Sequence, residues 1–147
     1  MIVHFVAPTP QFEKNQASYQ KIIDAIIASG YEPSSEFSQR VPTEIEMGLS
    51  MLDQEDWETI CRRELARIDA CDALIADATN KSTFGVGYEV AIALAQEKPV
   101  LLLLRDGSMG GSFISGLMHP LLTRQQFNDA AIKRVVRDFC LTIRKEK

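Results

Sequence analysis

Apolar positions along the chain alternate between short continuous runs and helically spaced stripes. Residues 2–7 form a run stopped by Pro8-Thr9-Pro10, which predicts a first strand. Tyr19, Ile22, Ile23, Ile26 and Ile27 then recur at helical spacing, with Asn15 or Ser18 as the expected cap and Gly30 as the stop. Residues 31–37 read as a weak second strand interrupted by Pro33, and residues 38–55 show no clear period. Trp57, Ile60, Cys61, Leu65 and Ile68 mark a second helix. Ala73-Leu74-Ile75-Ala76-Asp77 is a strand, residues 78–84 a loop, and an apolar helix running to Gln96 leads into the strand Val100-Leu101-Leu102-Leu103-Leu104. Beyond a Gly/Ser loop over residues 105–111 come a helical turn over 113–117 and a last strand over 121–127. Ile132, Val135, Val136, Phe139, Cys140 and Ile143 then outline an amphipathic helix. Strands alternating with helices predict one α/β domain over residues 1–147, a flavodoxin-like or Rossmann-like doubly wound, mostly parallel sheet of five strands with helices on both faces. Ligands of such sheets bind beyond the carboxyl ends of the strands, where strand order reverses. The segments after the first, third and fourth strands are expected to meet at that edge.

Composition adds mainly exclusions. A net charge of −4 without a Lys/Arg cluster argues against a nucleic-acid partner. The start Met1-Ile2-Val3-His4-Phe5 has no basic leader and the chain has no long apolar segment, so neither a secretory signal nor a membrane contact is expected. Cys61, Cys71 and Cys140 are odd in number and lack metal or redox spacing, which fits a reducing cytoplasm. The two histidines stand far apart with no ligand-spaced partner, so no metal is expected.

Several residues nevertheless sit where chemistry is expected. In Gly85-Val86-Gly87-Tyr88-Glu89 the glycines allow unusual φ values and close approach of a ligand, and Glu89 is placed at the opening of a helix whose free amides favour its ionised form. The plain alternative is an acidic residue that merely complements the helix dipole. Glu64 falls in the middle of an apolar helical stripe, so it must be paired, neutral or directed into a cavity; Arg63, Arg67 and Arg105 are its candidate structural partners. Asp77 ends a strand at the ligand edge and would either contact a substrate hydroxyl or cap the turn at Thr79 or Asn80. Ser82 and Thr83 are placed to bind a phosphate or a ribose hydroxyl, or are simply turn formers. His4, inside the first strand, is a hydrogen-bonded core residue or a substrate contact.

The run from Asp72 to Asp77, the Thr83-Phe84-Gly85-Val86-Gly87-Tyr88-Glu89 segment, the Ala-rich helix behind it and Lys98-Pro99-Val100-Leu101 together resemble the nucleoside 2-deoxyribosyltransferase superfamily. That superfamily includes 2′-deoxynucleoside 5′-phosphate N-hydrolases and CMP N-glycosidases. The resemblance implies that Glu89 is a nucleophile attacking C1′ and that Glu64 fills the acidic slot that positions substrate or moves a proton. It places a substrate-binding hydroxyl at Thr83, which favours a 5′-phosphate because a carboxylate there would repel one. It also sends Ser112 into a neighbouring subunit's site, implying a homodimer, and it requires no cofactor. The family's first-strand tyrosine stands here as His4, and its small Gly-Ser turn as Ala7-Pro8-Thr9-Pro10. The leading expectation is therefore N-glycosidic cleavage of a (deoxy)nucleoside or its 5′-monophosphate, by hydrolysis or by transfer of the deoxyribosyl group. The alternatives are a catalytically silent nucleotide-binding module of the same fold and a glycohydrolase acting on NAD.

Overall fold

The computed structural model describes residues 1–8, 12–35, 54–79, 84–108 and 116–145. In chain order these form β1 (Ile2–Val6), α1 (Phe12–Ala28), β2 (Glu32–Ser34), α2 (Gln54–Ala70), β3 (Ala73–Asp77), α3 (Phe84–Ala95), β4 (Val100–Arg105), β5 (Leu122–Phe127) and α4 (Ile132–Lys145). The strands build one sheet in the order β2-β1-β3-β4-β5, and every pairing is parallel. Strand order reverses at β1 and β3, so the switch point lies where Ala7 and Pro8 leave β1 and Asp77 ends β3. The expected doubly wound sheet is present, and it is parallel throughout.

Side chains alternate between two apolar layers. Val3, Phe5, Ala73, Ile75, Leu101 and Leu103 pack with α1 and α4. Val6, Leu74, Ala76, Val100, Leu102 and Leu104 pack with α2 and α3. Strands covered on both faces must be apolar at successive positions, which is why β3 and β4 read as continuous runs rather than alternating ones. The stripe Ile132, Val135, Val136, Phe139, Cys140 and Ile143 is buried in full, as its spacing predicts. β2 is short because Pro33 has no N–H to give, and a proline is tolerated only at a sheet edge such as this one.

Helix ends explain the connections. Gly30 has φ 81°, its N–H meets the carbonyl of Ile27 at 2.9 Å, and the Tyr31 N–H reaches Ile26 at 3.3 Å. That pair of bonds is a Schellman cap, and it confirms Gly30 as the stop of α1. The same arrangement ends α3, where Lys98 N–H meets Ala93 and Glu97 N–H meets Leu94, but here Glu97 occupies the left-handed position with φ 57°. Lys98 then donates its ammonium to the carbonyls of Ile68 and Asp69, covering the C-terminal end of α2.

Three helical expectations change. α1 begins at Phe12, ahead of both predicted caps, and Ser18 lies buried inside it, accepting a bond from Arg105 Nη2 at 2.6 Å. Ile27 falls at the margin of its stripe and is exposed. On α2 the described N-terminal positions Trp57 and Cys61 are exposed while Ile68 is fully buried, so the helix packs through its C-terminal half. The 38–55 loop apart from the start of α2, the outer end of the predicted second strand and most of the predicted 113–117 turn lie outside the described residues.

Glu97→Gly should stabilise the protein by about 0.5–1 kcal/mol. Relief of left-handed strain (~1–2 kcal/mol) exceeds the entropic cost of glycine (~0.5–1 kcal/mol). Urea unfolding of both forms would read this as a higher midpoint with an unchanged slope.

Candidate active site

Alternation along the strands sorts the predicted site residues onto two faces. His4 shares the parity of Val6 and points into the α2/α3 layer, where it is fully buried. Its Nδ1 lies 2.7 Å from the carbonyl oxygen of Ser34 on the neighbouring strand. A carbonyl can only accept, so Nδ1 carries the hydrogen, and in the neutral ring Nε2 presents a lone pair. That Nε2 is 3.7 Å from Oε2 of Glu64 on α2. The other carboxylate oxygen of Glu64, Oε1, is held by Arg67 Nη1 at 2.5 Å and Arg63 Nε at 3.2 Å. The acidic residue in the apolar stripe is thus paired, by two of its three candidate partners, and it adjoins His4. Burial pushes the His4 pKa down; the Ser34 carbonyl and the Glu64 carboxylate oppose that shift, and Arg67 and Lys98 add to it.

Glu89 sits elsewhere than its sequence context predicts. α3 begins at Phe84, so Gly85 and Gly87 are helical residues and Glu89 is in the second turn, beyond the free amides of the helix start. The cause is packing: Val86, Val90, Ala93 and Leu94 form one stripe on the sheet, and burying Val86 draws the glycines into the helix. The glycines therefore matter here for the side chains they lack. Among the described residues, a carbon added at Gly85 would meet nothing within 4 Å, which leaves room at this turn for an approaching molecule. Glu89 is half-buried at the margin of the stripe. It stands six residues before the end of α3 at Ala95, and Glu64 six before the end of α2 at Ala70. The two helices pack together, and in this parallel sheet both run back towards its amino edge.

Asp77 belongs to the opposite face, sharing the parity of Ala73 and Ile75. It is buried and its Oδ1 accepts the Thr79 N–H at 2.9 Å, the capping contact foreseen for it. Burial raises its pKa, and the Thr79 bonds and the Arg105 charge counter the rise. Thr79 Oγ1 accepts the Arg105 N–H at 3.0 Å, and the Ser108 hydroxyl donates to the Thr79 carbonyl. The ends of β3 and β4 are therefore tied together at the carboxyl edge, as expected. Arg105 then reaches Asp129 at 3.0 Å, reaches Ser18, and lies 5.1 Å over the Phe127 ring. No sequence signal marks this hub, nor the Ser34 carbonyl that orients His4, because each joins residues remote along the chain. Ser82, Thr83 and Ser112 lie outside the described residues. A cleft of about 500 Å³ between β5 and α4, lined by residues such as Thr123, Arg134 and Asp138, holds none of the predicted site residues.

Fold and site together define a flavodoxin-like α/β protein with carboxylates on two helices that pack together on one face of the sheet. Comparison with known proteins narrows this. The family described as nucleoside 2-deoxyribosyltransferase matches residues 3–134. The chain belongs to that family. Its curated relatives include proteins named "Putative 2′-deoxynucleoside 5′-phosphate N-hydrolase 1". The one from Methanosarcina barkeri is 37% identical over 87 residues, covering 58% of this chain and 54% of the relative. The one from Methanosarcina mazei is 32% identical over 123 residues, covering 83% of this chain and 73% of the relative. The chain thus spans about half the length of the first and about three-quarters of the second. Among solved structures, a CMP N-glycosidase from Clostridium botulinum superposes with a TM-score of 0.64 at 17% identity, over 97% of this chain and 99% of the other. A 2-deoxyribosyltransferase from Bacillus psychrosaccharolyticus gives 0.64 at 18% identity, over 94% and 91%. At such identities the likeness is one of fold. Among the described residues, no helix is long and apolar enough to cross a membrane.

Two outcomes follow from the buried cluster. Arg67→Met leaves the largely buried Glu64 carboxylate without its shorter partner and should cost about 3 kcal/mol, read by urea unfolding. For His4 the unfolded chain binds more protons wherever pH lies below about 6.5 and above the depressed folded-state value. Stability is therefore fully present above about 6.5 and is lost as pH falls through that window. Thermal melts at pH 7.5 and 5.5 should show a larger drop for the native chain than for His4→Gln.

Proposed function

We propose that this protein cleaves the N-glycosidic bond of a nucleoside or nucleoside 5′-monophosphate, with Glu89 as the nucleophile. The observation that carries the reading is the presence of two carboxylates, Glu89 and the Arg-held Glu64, on two helices that pack together in a chain of this family. Cleavage at C1′ passes through an oxocarbenium-like state, which a carboxylate beside C1′ stabilises and then captures as a glycosyl ester. Loss of the base needs a proton at its departing nitrogen, and Glu64 is assigned that acid–base role. Water, or a second base in a transfer reaction, resolves the ester and frees Glu89. The open turn at Gly85 supports approach of the sugar to this end of α3.

In the same reading, Ser82 and Thr83 hold the 5′ end of the substrate. The absence of a carboxylate at those two positions favours a 5′-phosphate over a free hydroxyl. Asp77, engaged by Thr79, shapes the edge loop on which the sugar rests. Two copies are assigned to a homodimer in which Ser112 of each completes the other's site. Exposed Trp57, Phe84 and Tyr88 on the outer turns of α2 and α3 support a second copy at this end. Three free cysteines suit a reducing compartment such as the cytoplasm.

The test is chromatographic release of free base from nucleosides, their 5′-monophosphates and NAD, with and without an acceptor base. Glu89→Ala should lower release about 10⁴-fold or more while its melting curve stays native-like. Unchanged release in that variant would remove Glu89 as nucleophile. Ligand binding without release, equal in Glu89→Gln, would make the protein a nucleotide-binding module instead. Sedimentation should give twice the chain mass, and a monomer would refute the shared site.

A further inference from the structure

The His4–Glu64 contact leaves an acceptor facing an acceptor. Nδ1 of His4 must donate to the Ser34 carbonyl at 2.7 Å, so in the neutral ring Nε2 offers only a lone pair. That nitrogen is fully buried and has no hydrogen-bond partner among the described residues. Glu64 Oε2 lies 3.7 Å away, while Arg67 and Arg63 occupy Oε1. Two buried acceptors oriented in this way repel each other unless one proton stands between them, as a carboxylic acid donating to Nε2 or an imidazolium donating to Oε2. With that proton in place the gap should close by about 1 Å to a charge-assisted bond.

We propose that His4 is a positioning residue that shares one proton with Glu64, so that a His4–Glu64 dyad, and not Glu64 alone, stores the proton of the glycosidic reaction. The groups that bear on the dyad are Arg67 and Arg63 from α2, the Ser34 carbonyl from β2, Lys98 from the turn after α3, and Cys71, whose thiol meets the His4 backbone. The arginines fix one oxygen of Glu64 and leave the other directed at the imidazole. As the C1′–N bond breaks, its electron pair leaves with the base, a Glu89 oxygen bonds C1′, and the dyad's proton passes from Glu64 to the base nitrogen. In the second half, water oxygen bonds C1′, the ester C–O pair returns to Glu89, and the water proton goes back to the dyad. The net change is one water consumed and one neutral base released. The catalytic use of the dyad rests on the N-glycosidase reading above; the shared proton does not.

The chain has two histidines, so imidazole-¹⁵N labelling yields two sets of ring signals, and His119→Gln identifies which is His4. At pH 8, before the dyad takes up its proton, the His4 ring should show a protonated Nδ1 and a bare Nε2, and Nε2 should gain its hydrogen bond to Glu64 as the pH is lowered. In Glu64→Gln its titration midpoint should move by about one pH unit or more, because the carboxylate that favours the added proton is gone. A midpoint that does not move in Glu64→Gln would overturn the dyad. For kinetics, His4→Asn keeps a donor for Ser34 but removes the group facing Glu64, whereas His4→Gln extends an amide towards it. His4→Asn should lower kcat about 100-fold with KM within about twofold and displace one limb of the pH profile, and His4→Gln should recover part of kcat. A loss of melting temperature with kcat and the pH limb unchanged would mark His4 as purely structural. Should the native chain release no base from any substrate, the functional reading fails while the nitrogen titration still decides the dyad.

Discussion

Because the central strands β1, β3 and β4 are buried on both faces, every polar group that enters either layer must find its partner inside the protein. This constraint governs both the fold and the site. Nδ1 of His4 satisfies it through the carbonyl of Ser34, which in turn requires β2 to pair with β1 in a register that sets His4 opposite Ser34, while Nε2 is left facing Glu64. Glu64 satisfies it through two arginines of its own helix. Asp77 satisfies it by closing a turn on Thr79. Breaking any of these leaves a buried donor or acceptor unpaired, a larger effect than the modest net gain of forming the bond.

The sheet thereby separates two tasks. On the α1/α4 face, Arg105 gathers Ser18, Asp129 and the Phe127 ring, while its backbone ties the end of β4 to Thr79 beside Asp77. That network holds the carboxyl edge in shape. On the α2/α3 face stand Glu64, His4 and Glu89, the groups proposed to carry the chemistry. A rigid edge on one side and charged groups held within a packed layer on the other form the kind of pre-organised arrangement on which electrostatic catalysis depends.

Much of this was legible in the chain. The runs at β1, β3 and β4 announce a buried parallel sheet, the stripe of α4 is buried residue for residue, and Gly30 ends α1 as its conformational freedom predicts. The paired state of Glu64 follows from a carboxylate in an apolar stripe with arginines one residue before and three after it. Glu89 was less legible. Glycines at 85 and 87 read as a loop, yet the spacing of Val86, Val90, Ala93 and Leu94 extends the helix through them. Burial of Val86, which continues a stripe already formed and is worth about 1.5–3 kcal/mol, offsets the roughly 2 kcal/mol that two helical glycines cost.

The sequence by itself determined the order of elements, the parallel class of the sheet and the residue types available for chemistry, because these depend on periodicity and local propensity along one stretch of chain. Only the tertiary structure decided which of those residues meet. The orientation of His4 by Ser34, its approach to Glu64, the separation of Asp77 onto the other face and the Arg105 hub all join positions tens of residues apart. Such contacts arise from strand order, register and the parity of each side chain in the sheet, quantities that no local pattern encodes.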